Sequence, residues 1–119
     1  KNYLIPVPSH SNQAGSNMAK TPERVVKDKV KKILEDAGAW FFFPAANGYG
    51  RSGIPDIVCC VGGKFLAIEC KAGGLQPTAL QARELDRIKA AGGIGIGINA
   101  ETVDSLHVLI EQLKDSLCD

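Results

Sequence analysis

Apolar positions along this chain follow two periods, one helical and one alternating. Between residues 21 and about 38, Val26, Val30, Ile33, Leu34 and Ala37 recur at helical spacing, which predicts a first helix with one apolar stripe. Thr21 followed by Pro22 marks its start and Gly38 its stop. The aromatic run Ala39, Trp40, Phe41, Phe42, Phe43 then reads as a strand closed by Pro44, with its rings expected in the core. Two apolar runs, residues 57–61 and 65–68, flank Gly62 and Gly63, a pair that supplies the positive φ angles of a two-residue hairpin turn. Thr78 and Gln81 form a capping box for a second helix that continues through Leu85, Ile88 and Ala91 to Gly92 and Gly93. Ile94, Ile96 and Ile98 alternate with Gly95 and Gly97, which predicts a short strand whose bare face admits a close neighbour. A third helix is expected from residue 101 to about 114, with Val103, Leu106, Ile110, Leu113 and Leu117 on a stripe that packs on the core or shares a dimer interface.

The predicted order is α-β-β-β-α-β-α. The helix joining the third and fourth strands acts as a right-handed crossover, so those strands should run parallel within a sheet that is otherwise antiparallel. The expected fold is therefore α/β, a mixed four-stranded sheet flanked by helices.

Length and composition narrow the function classes. A chain of 119 residues, 45% hydrophobic and 23% charged, is an ordinary single domain with one core. No apolar run approaches the roughly 20 residues of a membrane span, and no signal-peptide pattern stands at the start. Residues 1–17 have no helical period, and the one methionine is Met18. They are expected to be an appended leader, or else a native flexible arm, ahead of a single domain over 18–119. Cys59, Cys60, Cys70 and Cys118 lack C-x-x-C spacing and read as reduced core thiols of a cytoplasmic-type compartment. The net charge of +1 hides a polarity: Lys20, Arg24, Lys27, Lys29, Lys31 and Lys32 crowd the first helix, whereas the last twenty or so residues are acidic. A basic end of this kind suits phosphate, although it also suits a solvated helix face.

The chemistry concentrates at the open end of the predicted hairpin. If Gly62 and Gly63 are the loop, Val61 faces Lys64, and stepping outward sets Asp56 opposite Glu69. Such neighbours have Cβ atoms roughly 4.5–5.5 Å apart, where like charges destabilise. The strand period puts Lys71 on the same face as Glu69. A divalent cation between the acids would remove the repulsion, and hard oxygen ligands suit Mg²⁺ or Mn²⁺. A solvated surface pair is the blander reading, but the strands between these residues are apolar on both faces, and buried charges need partners. Glu23 lies on the apolar stripe of the first helix, aimed towards this site or simply offsetting the positive helix N-terminus. The glycine-rich loop before Gly53 offers Asn47, Tyr49, Arg51 and Ser52 as donors for phosphate or sugar.

A helical Glu, then Gly53-Ile-Pro-Asp56, a hairpin, and Glu69-Cys-Lys71 resembles the PD-(D/E)xK nuclease superfamily. The Thr78-to-Gln81 helix start and the Gly92-Gly93 stop are similar to its VRR-NUC branch, the virus-type replication and repair nucleases, over about residues 20–100. The resemblance implies a restriction-endonuclease-like core, with Asp56 and Glu69 binding metal and Lys71 orienting or activating water. It also implies that Glu23 completes the acidic shell, through water, and that Gln81 faces the site. Stand-alone members are viral or bacterial, tend to form homodimers, and include enzymes acting on branched DNA.

The expected activity is thus a Mg²⁺- or Mn²⁺-dependent DNA endonuclease, selective for branched DNA of the Holliday-junction type and working in DNA repair as a homodimer. The metal ligands are expected to be Asp56, Glu69 and the Cys70 backbone carbonyl, with no membrane and no small-molecule cofactor. Arg24, Lys27, Asn47, Arg51 and Ser52 are candidate DNA contacts. Its compartment would be the cytoplasm of a bacterium or of a virus-infected host cell. Two rivals stand beside it: a catalytically silent DNA-binding module of the same fold, and a small α/β protein-interaction domain.

Overall fold

A computed structural model describes residues 20–45 and 52–117. The first helix, α1 (Pro22–Asp36), begins where the sequence placed it: the Thr21 hydroxyl accepts from the Arg24 amide at 3.2 Å, and Pro22 fills a first-turn position. Its stripe of Val26, Val30, Ile33 and Leu34 is buried. Gly38 takes φ 75 after the last turn, and the Ala39 amide closes on the Leu34 carbonyl at 3.0 Å. The chain then enters β1 (Trp40–Phe42), followed by β2 (Ile57–Val61), β3 (Lys64–Cys70), α2 (Ala79–Ala90), β4 (Ile94–Ile98) and α3 (Ser105–Leu117).

The four strands form one sheet in the order β1-β2-β3-β4, antiparallel except for the β3–β4 pair, which α2 joins as a crossover. The β2–β3 register is the predicted one, from Val61 opposite Lys64 to Ile57 opposite Ile68. Gly62 and Gly63 take φ 60 and 78, the left-handed pair that a tight hairpin requires.

Strand alternation sorts the sheet into two unlike faces. One carries Phe41, Cys59, Leu66, Ile68 and Ile98 into a core shared with α1 and α3. Lys114 of α3 ties these helices together by donating to the Ala37 carbonyl at 2.9 Å, at the end of α1. The other face is covered by α2 at β4. A methyl group placed on Gly95 would meet the Leu85 backbone carbonyl at 2.8 Å, and one on Gly97 would meet Pro77 at 2.8 Å. The bare strand face is therefore filled by the crossover segment.

Three expectations are corrected. The aromatic run is not a core strand: β1 is the sheet edge, Phe41 alone of its three rings packs on the core, and Trp40 is 64% exposed. Helix α3 starts at Ser105 instead of residue 101, because Asn99 organises the intervening turn. The Asn99 side chain accepts from the Glu101 and Thr102 amides and donates to the Leu75 carbonyl. Of the cysteines, Cys59 and Cys70 are buried but Cys60 is exposed, and Cys118 lies outside the described residues. Among the described residues no helix is long and apolar enough to cross a membrane.

Candidate active site

Extending the β2–β3 ladder one step beyond Ile57 and Ile68 brings Asp56 and Glu69 together at the open end of the hairpin. Strand β3 carries Glu69 deep into the sheet, 2% exposed, between β2 and its parallel neighbour Gly97 on β4. One of its oxygens, Oε2, lies 3.7 Å from Lys71 Nζ. The other, Oε1, is buried without a hydrogen-bond partner. Burial raises the Glu69 carboxyl to about 7, helped by the negative charge of Asp56 and opposed by the Lys71 ammonium. An acid held this far above its ordinary range, in a cluster of charges at a strand end, is typical of functional sites.

The preceding turn fixes Asp56. Its Oδ2 accepts from the Cys70 amide at 2.8 Å, so the carboxylate caps the ribbon where the backbone ladder stops. Its Oδ1 lies 3.4 Å from Lys27 Nζ, and the same ammonium lies 3.4 Å from Glu23 Oε2 one helical turn back. Burial works against the Lys27 charge, but Asp56 and Glu23 outweigh it and hold its pKa above the ordinary value. Gly53 takes φ 84 with its backbone against α2: a methyl group there would stand 2.5 Å from the Leu80 carbonyl. The Gly-x-Pro-Asp segment thus needs glycine for conformation and for close approach. That contact seats the turn on the first turn of α2.

Of the candidates drawn from sequence, the fold brings Asp56, Glu69 and Lys71 together, with Glu23 at their edge through Lys27. Gln81 lies in the first turn of α2, where its Oε1 accepts from the Thr78 amide at 2.8 Å in the predicted capping box. Arg24 and Lys27 line a cleft of about 630 Å³ beside the acids, together with Thr21, Pro22, Glu23 and Ala72. Arg24 also pairs with Asp28 at 3.1 Å. Ser52 is exposed in the turn before Gly53. Asn47, Tyr49 and Arg51 lie outside the described residues.

The approach of Lys27 to Asp56 was not foreseen among the basic residues of the first helix. The available signal was the spacing of four between Glu23 and Lys27, the favourable order for a helical ion pair. Nor was Glu84 foreseen, a carboxylate of α2 that is 2% exposed and paired with Arg87 at 3.3 Å and Arg83 at 3.7 Å.

Among the described residues no group of three or more His, Cys, Asp or Glu side chains closes around a metal position. The donor set that exists is a pair of carboxylates, one with an orphaned buried oxygen. Two hard anionic oxygens of this kind fit a divalent cation that completes its shell with backbone carbonyl or water.

No family model matches the sequence. A curated protein named "Putative nuclease p44", from Acyrthosiphon pisum secondary endosymbiont phage 1, is 40% identical over 85 residues, which cover 71% of this chain and 88% of that protein. A solved structure described as "VRR_NUC domain" superposes with a TM-score of 0.64 at 27% identity, covering 73% of this chain and 95% of the other. The likeness in sequence and the likeness in fold point the same way: this chain belongs to the VRR-NUC family of nucleases.

Proposed function

We propose that this nuclease is a metal-dependent DNA endonuclease that hydrolyses phosphodiester bonds at the Asp56–Glu69 end of the hairpin. The observation that carries the reading is the buried Glu69 Oε1, which has no hydrogen-bond partner although its carboxylate sits beside a second acid. A buried polar oxygen left unpaired is costly, and a cation shared with Asp56 would satisfy it. Mg²⁺ or Mn²⁺ bound there would lower the pKa of a water and polarise the phosphate. Asp56 and Glu69 would hold the ion, and the Cys70 carbonyl would add a neutral oxygen.

The remaining roles belong to the chain's own side chains. Lys71 stands against Glu69 and 15% exposed, placed to stabilise negative charge developing on a phosphate in a water-poor setting. Glu23 extends the acidic shell and orients Lys27. Gln81 would face the site from the first turn of α2, whose backbone lies against the Gly53 turn. Arg24, Ser52, Asn47 and Arg51 would contact the backbone of the DNA.

Selectivity for branched DNA of the Holliday-junction type, action as a homodimer in DNA repair and residence in a bacterial or infected-cell cytoplasm extend this reading from the family resemblance. A twofold pair would set two equivalent sites about one axis, suited to symmetric cuts. Incubation with branched, nicked and linear DNA, in Mg²⁺ or in EDTA, tests it. Cleavage in Mg²⁺ that disappears in Asp56→Asn and Glu69→Gln is the expected result. Binding without cutting would identify a silent DNA-binding module, and neither would identify a protein-interaction domain.

A further inference from the structure

Asp56 offers two oxygens, and they are already unequally committed. Oδ2 is pinned by the Cys70 amide at 2.8 Å. Oδ1 carries no such backbone bond, and it is the oxygen that Lys27 Nζ approaches at 3.4 Å. The same ammonium is held at 3.4 Å from Glu23, and the side chain is 27% exposed. Glu69, by contrast, has its own lysine, Lys71, and keeps Oε1 unpartnered. Both Lys27 distances exceed the ~2.7–2.9 Å of a tight charge-assisted hydrogen bond. A compact ammonium on a flexible four-carbon stem can leave such a loose bridge at little steric cost.

We infer that Lys27 is a resident counter-cation, occupying Asp56 Oδ1 until a divalent metal displaces it into the adjoining cleft. The inference rests on the metal-dependent reading above and adds to it a competition between a side chain and the metal for one oxygen. In the metal-free protein Lys27 relieves the repulsion between Asp56 and its acidic neighbours. After exchange its ammonium faces the cleft lined by Thr21, Arg24 and Ala72, where the DNA phosphate would arrive. Premature accumulation of negative charge is thereby avoided, and a positive group is delivered as the metal enters.

Two measurements without DNA test this. Calorimetric titration of Mn²⁺ should give the Lys27→Met protein an affinity on the order of tenfold tighter than the wild type, because a unit positive charge a few ångströms from the ion has been removed. In the wild type, the acylation rate of Lys27 read by mass spectrometry should rise severalfold on adding Mn²⁺, while that of the exposed Lys31 stays constant. This second readout stands even if the variant fails to fold. Equal or weaker Mn²⁺ binding by a folded Lys27→Met protein, or Lys27 labelling indifferent to Mn²⁺, overturns the exchange and leaves the metal site intact. Absence of Mn²⁺ binding in both proteins overturns the metal reading and the exchange with it.

Discussion

The two ends of the β2–β3 ribbon are built from the same pair of strands for opposite purposes. At the closed end, Gly62 and Gly63 adopt left-handed conformations, and a methyl group on Gly62 would stand 2.6 Å from the Leu113 carbonyl of α3. Every feature there favours the folded state. At the open end, Asp56, Glu69, Lys71 and Lys27 gather charge against a buried sheet, and one carboxylate oxygen has no partner. That end stores electrostatic strain that packing elsewhere must offset. Stability and the proposed chemistry are thus separable along one hairpin, so substitutions should divide by end.

The largest effect belongs to the open end. Glu69→Gln should lower single-turnover cleavage on the order of 10³-fold or more, since the proposed metal would lose an anionic ligand. In EDTA the same variant should melt at a higher temperature than the wild type, because a buried acid raised to about 7 no longer has to ionise. A loss of rate together with a lower melting temperature would mean that Glu69 is a structural support, and the contrast between the ends would collapse.

The next effect is a pH dependence with a definite sign. Glu69 has a folded pKa of about 7 against an ordinary value of 4.5, so between those values the folded protein holds more protons than the unfolded chain. Metal-free stability should therefore fall as pH rises through that window and level off above it, by on the order of 3 kcal/mol from this group. Saturating Mn²⁺ should flatten the slope, since a bound cation favours the ionised carboxylate. Denaturant melts at several pH values, with and without Mn²⁺, measure both. A stability rising with pH across the window would contradict the burial of this acid.

Gly62→Ala addresses the closed end. A side chain in a left-handed conformation, set against a helix carbonyl, should destabilise by about 2 kcal/mol. Urea unfolding measures that loss, while the Mn²⁺ affinity of the folded protein should be unchanged. An altered affinity would show that the turn and the site are mechanically coupled.

How far the sequence carries this picture depends on the range of the interactions involved. The hairpin register and the α2 capping box were readable because each is set within a few residues, by Gly62 with Gly63 and by Thr78 with Gln81. From that register the convergence of Asp56 with Glu69 followed by counting. The exposure of Trp40 and Phe42 was hidden, because hydrophobicity says nothing of whether a strand lies at the sheet edge, with one face uncovered. The late start of α3 was hidden for a similar reason: Asn99 reaches Leu75, across the chain, and diverts residues that look helical. The approach of Lys27 to Asp56 was hidden as well, because the choice between solvent and that carboxylate is made by tertiary contact.

The smallest effect separates the two readings of Glu23. As a helix-dipole residue alone it would contribute ~0.3–1 kcal/mol to stability and nothing to the metal. Its carboxylate, however, reaches Lys27 at 3.4 Å, and its charge is among those that raise the Glu69 carboxyl. Glu23→Gln should therefore weaken Mn²⁺ binding a few-fold, by removing a negative charge near the ion without removing a direct ligand. Calorimetry on the wild type and the variant at matched pH gives the comparison. An unchanged affinity with a lower melting temperature would return Glu23 to the helix terminus and confine the acidic site to the ribbon itself.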